Sequence, residues 1–347
     1  MNGPPRKLLG LIPLVALIAI LIALESPSSG VEPPGACVKE FGNGITGHPF
    51  GIAVGPDGKL WFTEQLEDKV GAFDPRTGTS REFAVPKGTQ PHGITRGPDG
   101  NLWYTGLSGV VGRIDPATGK ATPVVTKDIP PGSIPQDIVA APDGNLYVSL
   151  QEAGFVAKLE PKTGKFTLIM PVGIPAVSRP HGMTVDPDRR HLWVALQNAD
   201  SLARLDLATG KYDKVVKFSN QSGPAAVTNG PGNALYVALQ YSSAIGEYDM
   251  TSGKVHEYPS ALPPPATPDF APGPKLIDVA ADPKHNAVWV TTSVVSKLFR
   301  LDTKTKRVER LGCGITAKSG AQSFVKAPDG HLWFTEILGG RLGRLDD

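Results

Sequence analysis

The chain has 347 residues, with 35 Lys and Arg against 33 Asp and Glu, for a formal net charge of +2. A near-neutral chain whose basic residues do not cluster has no electrostatic footprint for nucleic acid, which is excluded as a partner. The 40 Gly and 34 Pro against 4 Met describe many turns between short strands, with chain enough for a large core.

In chain order, the first segment is not part of the fold. Arg6 and Lys7 precede an apolar run from Leu8 to Leu24, and Glu25, Ser26, Ser28 and Ser29 follow. This reads as a secretory signal peptide over residues 1–30. A short signal anchor is the alternative, because the run sits at the lower limit for spanning a bilayer and Pro13 interrupts it. Either way the remainder is expected to be secreted or to face the secretory lumen, with no stable membrane partner unless the signal stays uncleaved. Asn220-Gln221-Ser222 is an N-glycosylation sequon and marks a surface loop.

From residue 37 onward the chain repeats. Pro56-Asp57-Gly58, Pro98-Asp99-Gly100, Pro142-Asp143-Gly144 and Pro328-Asp329-Gly330 are identical turns, with diverged copies at Pro187-Asp188, Pro231-Gly232 and Pro283-Lys284. Each leads into an aromatic strand such as LWFTE, LWYTG or LYVAL, and most units then reach a second turn such as DPRTG or DLATG. A spacing of roughly 41–53 residues is that of a four-stranded propeller blade. Asp-Gly suits the hairpin turn because glycine takes positive φ cheaply. Seven copies predict an all-β, seven-bladed β-propeller over residues 37–347. The last copy stops after its third strand, and VKEFGNGIT at Val38–Thr46 aligns with VERLGCGIT at Val308–Thr316. Val38–Phe41 is therefore expected to supply the missing outer strand and close the ring, leaving only short, protected edges.

Strand direction places the polar residues. The start of each inner strand and the end of each second strand must share one face, the mouth. At the first of these positions stand Phe50, His92, Gln136, His181, Ala225, Ile277 and Gln322, and at the second Glu64 and Glu336 among smaller or apolar residues. Apolar walls with a few convergent polar groups make a small-molecule site. His92 and His181 are the candidate acid–base groups, and Glu64 and Glu336 the candidate metal ligands. His48, Phe50, Gln136 and Gln322 are candidate substrate-binding residues. A histidine there can equally do no more than bond a neighbouring blade's backbone. The proline-rich connection Pro259–Lys275 joins blades five and six on the mouth face and reads either as a lid or as a tolerated insertion.

The cysteines are expected to stay apart. Cys37 precedes the closing strand on the face away from the mouth, and Cys313 follows an outer strand near the mouth. Four to five strand residues, roughly 15 Å, separate those levels, and a disulfide needs Cα atoms within about 7 Å. A secretory compartment argues the other way.

The units PHGIT…GPDGNLWYT…VGRID and LWFTE…LGRLD resemble the virginiamycin B lyase family over nearly all of Val38–Asp347. The resemblance implies the seven-bladed propeller. For true lyases it also implies magnesium-dependent opening of a cyclic depsipeptide at its ester by elimination, with a histidine taking the α-proton and magnesium near glutamates polarising the carbonyl. His92 and His181 match the histidine of the family's P-H-x-I-T element, and Glu64 and Glu336 match its strand-closing glutamate. No blade combines both: Phe50 stands above Glu64, Gly106 follows His92, and Gln322 accompanies Glu336. The expected function is a lyase-like enzyme acting on an ester- or lactone-bearing small molecule with Mg2+. The alternatives are a non-catalytic ligand- or protein-binding propeller and a biosynthetic cyclase or isomerase using the same pocket. A monomer is expected.

Overall fold

The computed structural model describes residues 37–346 apart from 125–127, 171–174, 176, 261, 263–274 and 294. The expected leader at residues 1–30 and most of the Pro259–Lys275 connection lie outside the described residues. Among those described, no helix is long and apolar enough to cross a membrane.

Seven four-stranded antiparallel sheets follow one another, each a meander from an inner to an outer strand. Blade one runs Pro49–Val54, Leu60–Glu64, Lys69–Asp74 and Thr79–Ala84. Second strands such as Leu60–Glu64, Leu102–Gly106, Leu146–Leu150 and Leu332–Glu336 are buried at every position. Each is covered on both faces by neighbouring blades, which is why its sequence is a continuous run rather than an alternation. Leu60 and Phe62 meet Trp333 and Leu342 of blade seven, whereas Trp61 meets Leu102, Tyr104 and Ile114 of blade two. The core is accordingly a ring of seven clusters, one in each seam between blades.

The Pro-Asp-Gly turns do more than reverse the chain. The indole Nε1–H groups of Trp61, Trp103 and Trp333 donate to Asp57, Asp99 and Asp329 at 3.0, 3.0 and 3.1 Å. The Tyr147 hydroxyl donates to Asp143 at 3.0 Å. An aromatic polar atom buried in a seam would otherwise lack a partner, so the turn's carboxylate removes a desolvation cost of about 1–3 kcal/mol.

Ring closure is as the repeat predicts. Cys37–Phe41 pairs antiparallel with Arg341–Asp346, from Cys37 against Asp346 to Phe41 against Leu342, and becomes the outer strand of blade seven.

The expectation that the cysteines stay apart is corrected: Cys37 and Cys313 form a disulfide with Cα atoms 5.0 Å apart. The strands of a blade do not all run along the propeller axis. Sheet twist accumulates at roughly 20–25° per strand, so an outer strand lies strongly inclined to its inner one and its beginning leans over the neighbouring blade. There the Val38 N–H donates to the Cys313 carbonyl at 3.0 Å. The same contact recurs one seam on, where the Ser80 N–H donates to the Asn43 carbonyl at 3.0 Å. A glutamate reinforces each joint: Glu40 accepts from the N–H and hydroxyl of Thr316, and Glu82 does the same for Thr46.

Two outcomes follow for closure. Removing residues through Phe41 should expose the third strand of blade seven as an edge and cause self-association visible by light scattering. Cys313→Ser should lower the unfolding free energy by about 2–5 kcal/mol, read as a lower Tm, and reductant should have that effect on the wild type but not on the variant.

Candidate functional site at the mouth

Every inner strand slips in register near its start, as between Pro49 and Ile52, Pro91 and Ile94, Pro135 and Ile138, and Pro180 and Met183. A bulge of this kind re-aims the side chains it contains, and in blade two it falls on His92. The turns leading in are strained as well. Gln90, Ile134 and Arg179, each preceding a proline, have φ of 52°, 50° and 52°, and positive φ is a marked departure for a β-branched residue such as Ile134.

The bulges bring four of the candidate residues together across consecutive blades. The Phe50 ring lies 4.1 Å from that of His92, centroid to centroid. His92 Nδ1 lies 3.0 Å from the carbonyl oxygen of Gln136 in the next blade. Gln136 Nε2 lies 3.5 Å from His92 Nε2 and 3.2 Å from His181 Nε2. An amide nitrogen has two hydrogens and no acceptor capacity, so both imidazoles are assigned as accepting at Nε2 and carrying their proton on Nδ1. For His92 that proton is donated to the Gln136 carbonyl. The His92 carbonyl in turn accepts from the Thr63 hydroxyl at 2.6 Å.

Burial dominates the chemistry of both rings. His92 is buried, and loss of solvation lowers its pKa to about 3. His181, half-buried by exposed area, is lowered to about 4, first by burial and then by the positive charge of Arg179. Both are neutral across the physiological range.

Glu64 and Glu336 do not join this arc, nor each other. Along the second strand Leu60, Phe62 and Glu64 face the seam with blade seven, and Leu332, Phe334 and Glu336 face the seam with blade six. The sheet of blade seven stands between the two carboxyls. Glu64 accepts from the Gly47 N–H at 3.1 Å through one oxygen, and its other oxygen has no hydrogen-bond partner. Neither oxygen of Glu336 closes a hydrogen bond of normal geometry, although the nearby Ser319 hydroxyl lowers its pKa somewhat. Burial raises both to about 8, helped by Glu82 beside Glu64 and by Glu40 beside Glu336. Magnesium binds through ionised carboxylates. Side-chain alternation turns the two carboxyls into successive seams, so the structure does not bring Glu64 and Glu336 together as the expected pair.

The remaining candidates stand apart. His48 Nδ1 lies 2.5 Å from Glu67 Oε1, which also ties down the His48 N–H at 3.1 Å through its other oxygen. Gln322 is buried in blade seven, where its carbonyl accepts from the Thr291 hydroxyl. Around the ring the polar positions His92, Gln136 and His181 are followed by the apolar positions Ala225, which is fully buried, and Ile277.

Two acids escaped the sequence reading. Asp137 accepts from the N–H groups of Ile138 and of Met183 in the next blade, at 2.8 and 2.9 Å. Asp278 does the same for Val279 and Phe324 at 2.8 and 2.7 Å. Burial raises Asp137 to about 6 and Asp278 to about 7, the latter also repelled by Asp137. The available signal was an aspartate where Gly51, Gly93 and Gly182 occupy the equivalent place.

The raised carboxyls predict a direction for pH. The folded state holds the Glu64 and Glu336 protons more tightly than the unfolded chain, whose glutamates titrate near 4.5. Their contribution is full below that value and is lost as pH rises through about 8, with Asp137 and Asp278 acting in the same sense at lower pH. His92 and His181, lowered in the fold, oppose this loss up to about pH 6.5, so Tm should fall most clearly from there to about pH 9, and the double variant Glu64→Gln, Glu336→Gln should flatten that fall. An unchanged profile in the variant would mean that neither carboxyl is protonated in the fold.

Residues 34–175 match the model of the Virginiamycin B lyase family. No curated protein matches the chain. Among solved structures, a streptogramin B lyase superposes with a TM-score of 0.75 at 22% identity, covering 90% of this chain and 98% of that one. Virginiamycin B lyase from Staphylococcus aureus gives 0.75 at 20% identity, covering 90% and 99%. A catalytically inactive variant of that enzyme, solved with quinupristin, gives 0.75 at 22% identity over the same shares. The chain is thus a seven-bladed β-propeller, and its residues 34–175 are similar to the Virginiamycin B lyase family.

Proposed function

We propose that this chain is a small-molecule-binding propeller that holds an ester-, lactone- or amide-bearing ligand against the polar arc of its mouth. The observation that carries this reading is the Gln136 amide set between two neutral imidazoles, at 3.5 Å from His92 and 3.2 Å from His181. The arc offers hydrogen bonds without charge beside an aromatic face at Phe50 and an apolar position at Ile277. Such a mixture orients a largely apolar ligand by a few polar contacts. As a general base His92 is poorly matched, since an ideal catalytic pKa lies near the working pH and burial holds this one at about 3. Ligand contact that excluded the bond to the Gln136 carbonyl would also cost the buried imidazole its partner. The Cys37–Cys313 bond supports an oxidising, extracytoplasmic location for the mature chain.

Elimination chemistry is the second reading. It is favoured by the match of residues 34–175 to the lyase family and by the P-H-G-I-T and P-H-G-M-T elements at His92 and His181. In that reading His92 would have to rise in pKa on ligand binding, and any Mg2+ would need ligands other than a Glu64–Glu336 pair.

Titration with quinupristin and a panel of simpler lactones separates the two. Saturable binding that weakens about tenfold in Gln136→Ala, a loss of about 1.4 kcal/mol, with no ring-opened product and no response to a chelator, is the expected result. Ring opening that disappears in His92→Ala and with chelator would establish the lyase instead.

A further inference from the structure

We propose that the turn leading into the second strand of blade four is a divalent-metal site formed by Asp186, Asp188 and His191, taking zinc in preference to magnesium. It lies on the face opposite the mouth, where the Pro-Asp-Gly turns of the other blades only reverse the chain and hold an aromatic side chain.

Blade four departs from the Pro-Asp-Gly turns in ways that blade six shares in part, down to a histidine paired with the aspartate before the proline, His285 with Asp282 there and His191 with Asp186 here. Its turn reads Asp186-Pro187-Asp188-Arg189-Arg190-His191, one residue longer than Pro56-Asp57-Gly58-Lys59 allows between the proline and the strand's tryptophan. Trp193 is 1% exposed, yet its Nε1–H has no hydrogen-bond partner. Trp289 in blade six is also unpaired behind a turn of the same length, and what distinguishes blade four is Asp188 where blade six carries Lys284. Blade four has the carboxylate, and the added residue has taken it elsewhere.

It stands beside His191. His191 Nδ1 lies 2.7 Å from Asp186 Oδ2 and 3.9 Å from Asp188 Oδ1. One ligand atom from each of the three residues lies within 4.8 Å of the others, and among the described residues this is the group of three that can surround an ion. Zinc sits at about 2.0–2.2 Å from imidazole nitrogen and carboxylate oxygen, a spacing these atoms reach by small side-chain rotations. Asp186 is oriented for the task, because its other oxygen accepts from the N–H groups of Arg190 and His191 at 3.0 Å each. On the far side of the ring, Asp206 Oδ2 lies 3.9 Å from His191 Nε2. That separation is too long for a hydrogen bond, so Asp206 adds negative charge beside the ring rather than a bonded outer partner.

Three protein ligands leave a coordination position open. The adjoining cavity of about 270 Å³ is lined by Arg204, Lys214 and Asn233 together with Trp193. These donors suit water or a small anion as the fourth ligand. An imidazole in the set selects zinc-like ions, whereas magnesium favours an all-oxygen, near-octahedral shell.

The test uses untagged full-length mature protein, stripped with chelator and titrated with ZnCl2 alone in a calorimeter. One zinc per chain is expected, not displaced by excess Mg2+. Asp188→Asn, whose side chain is 61% exposed and so can change without disturbing the core, should weaken binding by more than about tenfold, a loss seen even for outer-shell partners. His191→Gln should do the same, and Glu64→Gln should leave binding unchanged. Absence of zinc uptake by the wild type, uptake unaltered in Asp188→Asn, or equal competition by Mg2+ would overturn the assignment.

Discussion

A single antiparallel pairing, Cys37–Phe41 on Arg341–Asp346, turns a row of seven sheets into a ring. Every second strand is buried on both faces only because both neighbouring blades are present. In an open row Leu60 and Phe62 would face water instead of Trp333 and Leu342, at about 1.5–3 kcal/mol for each large side chain. The pairing links the two ends of the described chain, so its loop entropy must be offset by more than one strand's hydrogen bonds. The joint is reinforced accordingly. The disulfide spans 276 positions, Glu40 clasps Thr316 and Arg341, and Phe41 packs 4.9 Å from the Trp333 ring. The order of residues around the mouth depends on this closure, since it makes Gln322 and Phe50 neighbours in space.

The architecture was legible because it is written seven times, and a period survives the divergence of single copies. The N-terminal strand was legible for the same reason, through the alignment of Val38–Thr46 with Val308–Thr316. That alignment also placed Cys313 over Asn43, which the structure bears out: both carbonyls accept from the second residue of the next blade's outer strand. What failed was the step from alignment to distance. A repeat gives equivalence between blades but says nothing of sheet twist, and twist brings the two cysteines together. The bulges were equally invisible, because nothing local to Pro91-His92-Gly93 marks a carbonyl 44 positions away as the ring's partner.

The two strand-closing glutamates show the converse error. Equivalent positions on adjacent blades are neighbours along the ring without sharing a space. Alternation turns both toward the same side of their own sheets, and so into successive seams. In each seam the glutamate meets a second carboxyl and a base, Glu82 with Lys69 or Glu40 with Arg341. That set was present in the sequence, since Lys69 and Arg341 open their third strands and Glu82 and Glu40 sit in phase on the outer ones. Reading the repeat across columns as well as along blades would have grouped each glutamate with its own seam.

The same desolvation acts on acids and bases at the inner end of the blades, and it acts in one direction, toward neutrality. It raises Glu64, Glu336, Asp137 and Asp278 and lowers His92 and His181. Ion pairs are placed instead on the outer strands and turns, as in Arg204 with Asp213 or Arg344 with Asp346. A histidine that must bond the next blade's carbonyl is most useful when neutral, because one nitrogen then donates to that carbonyl while the other accepts from Gln136. Protonation would turn the accepting nitrogen into a donor facing the amide's hydrogens. The geometry that locks blades two, three and four together therefore also fixes the hydrogen-bonding character of the mouth, whose acceptors and donors keep their pattern across the physiological pH range.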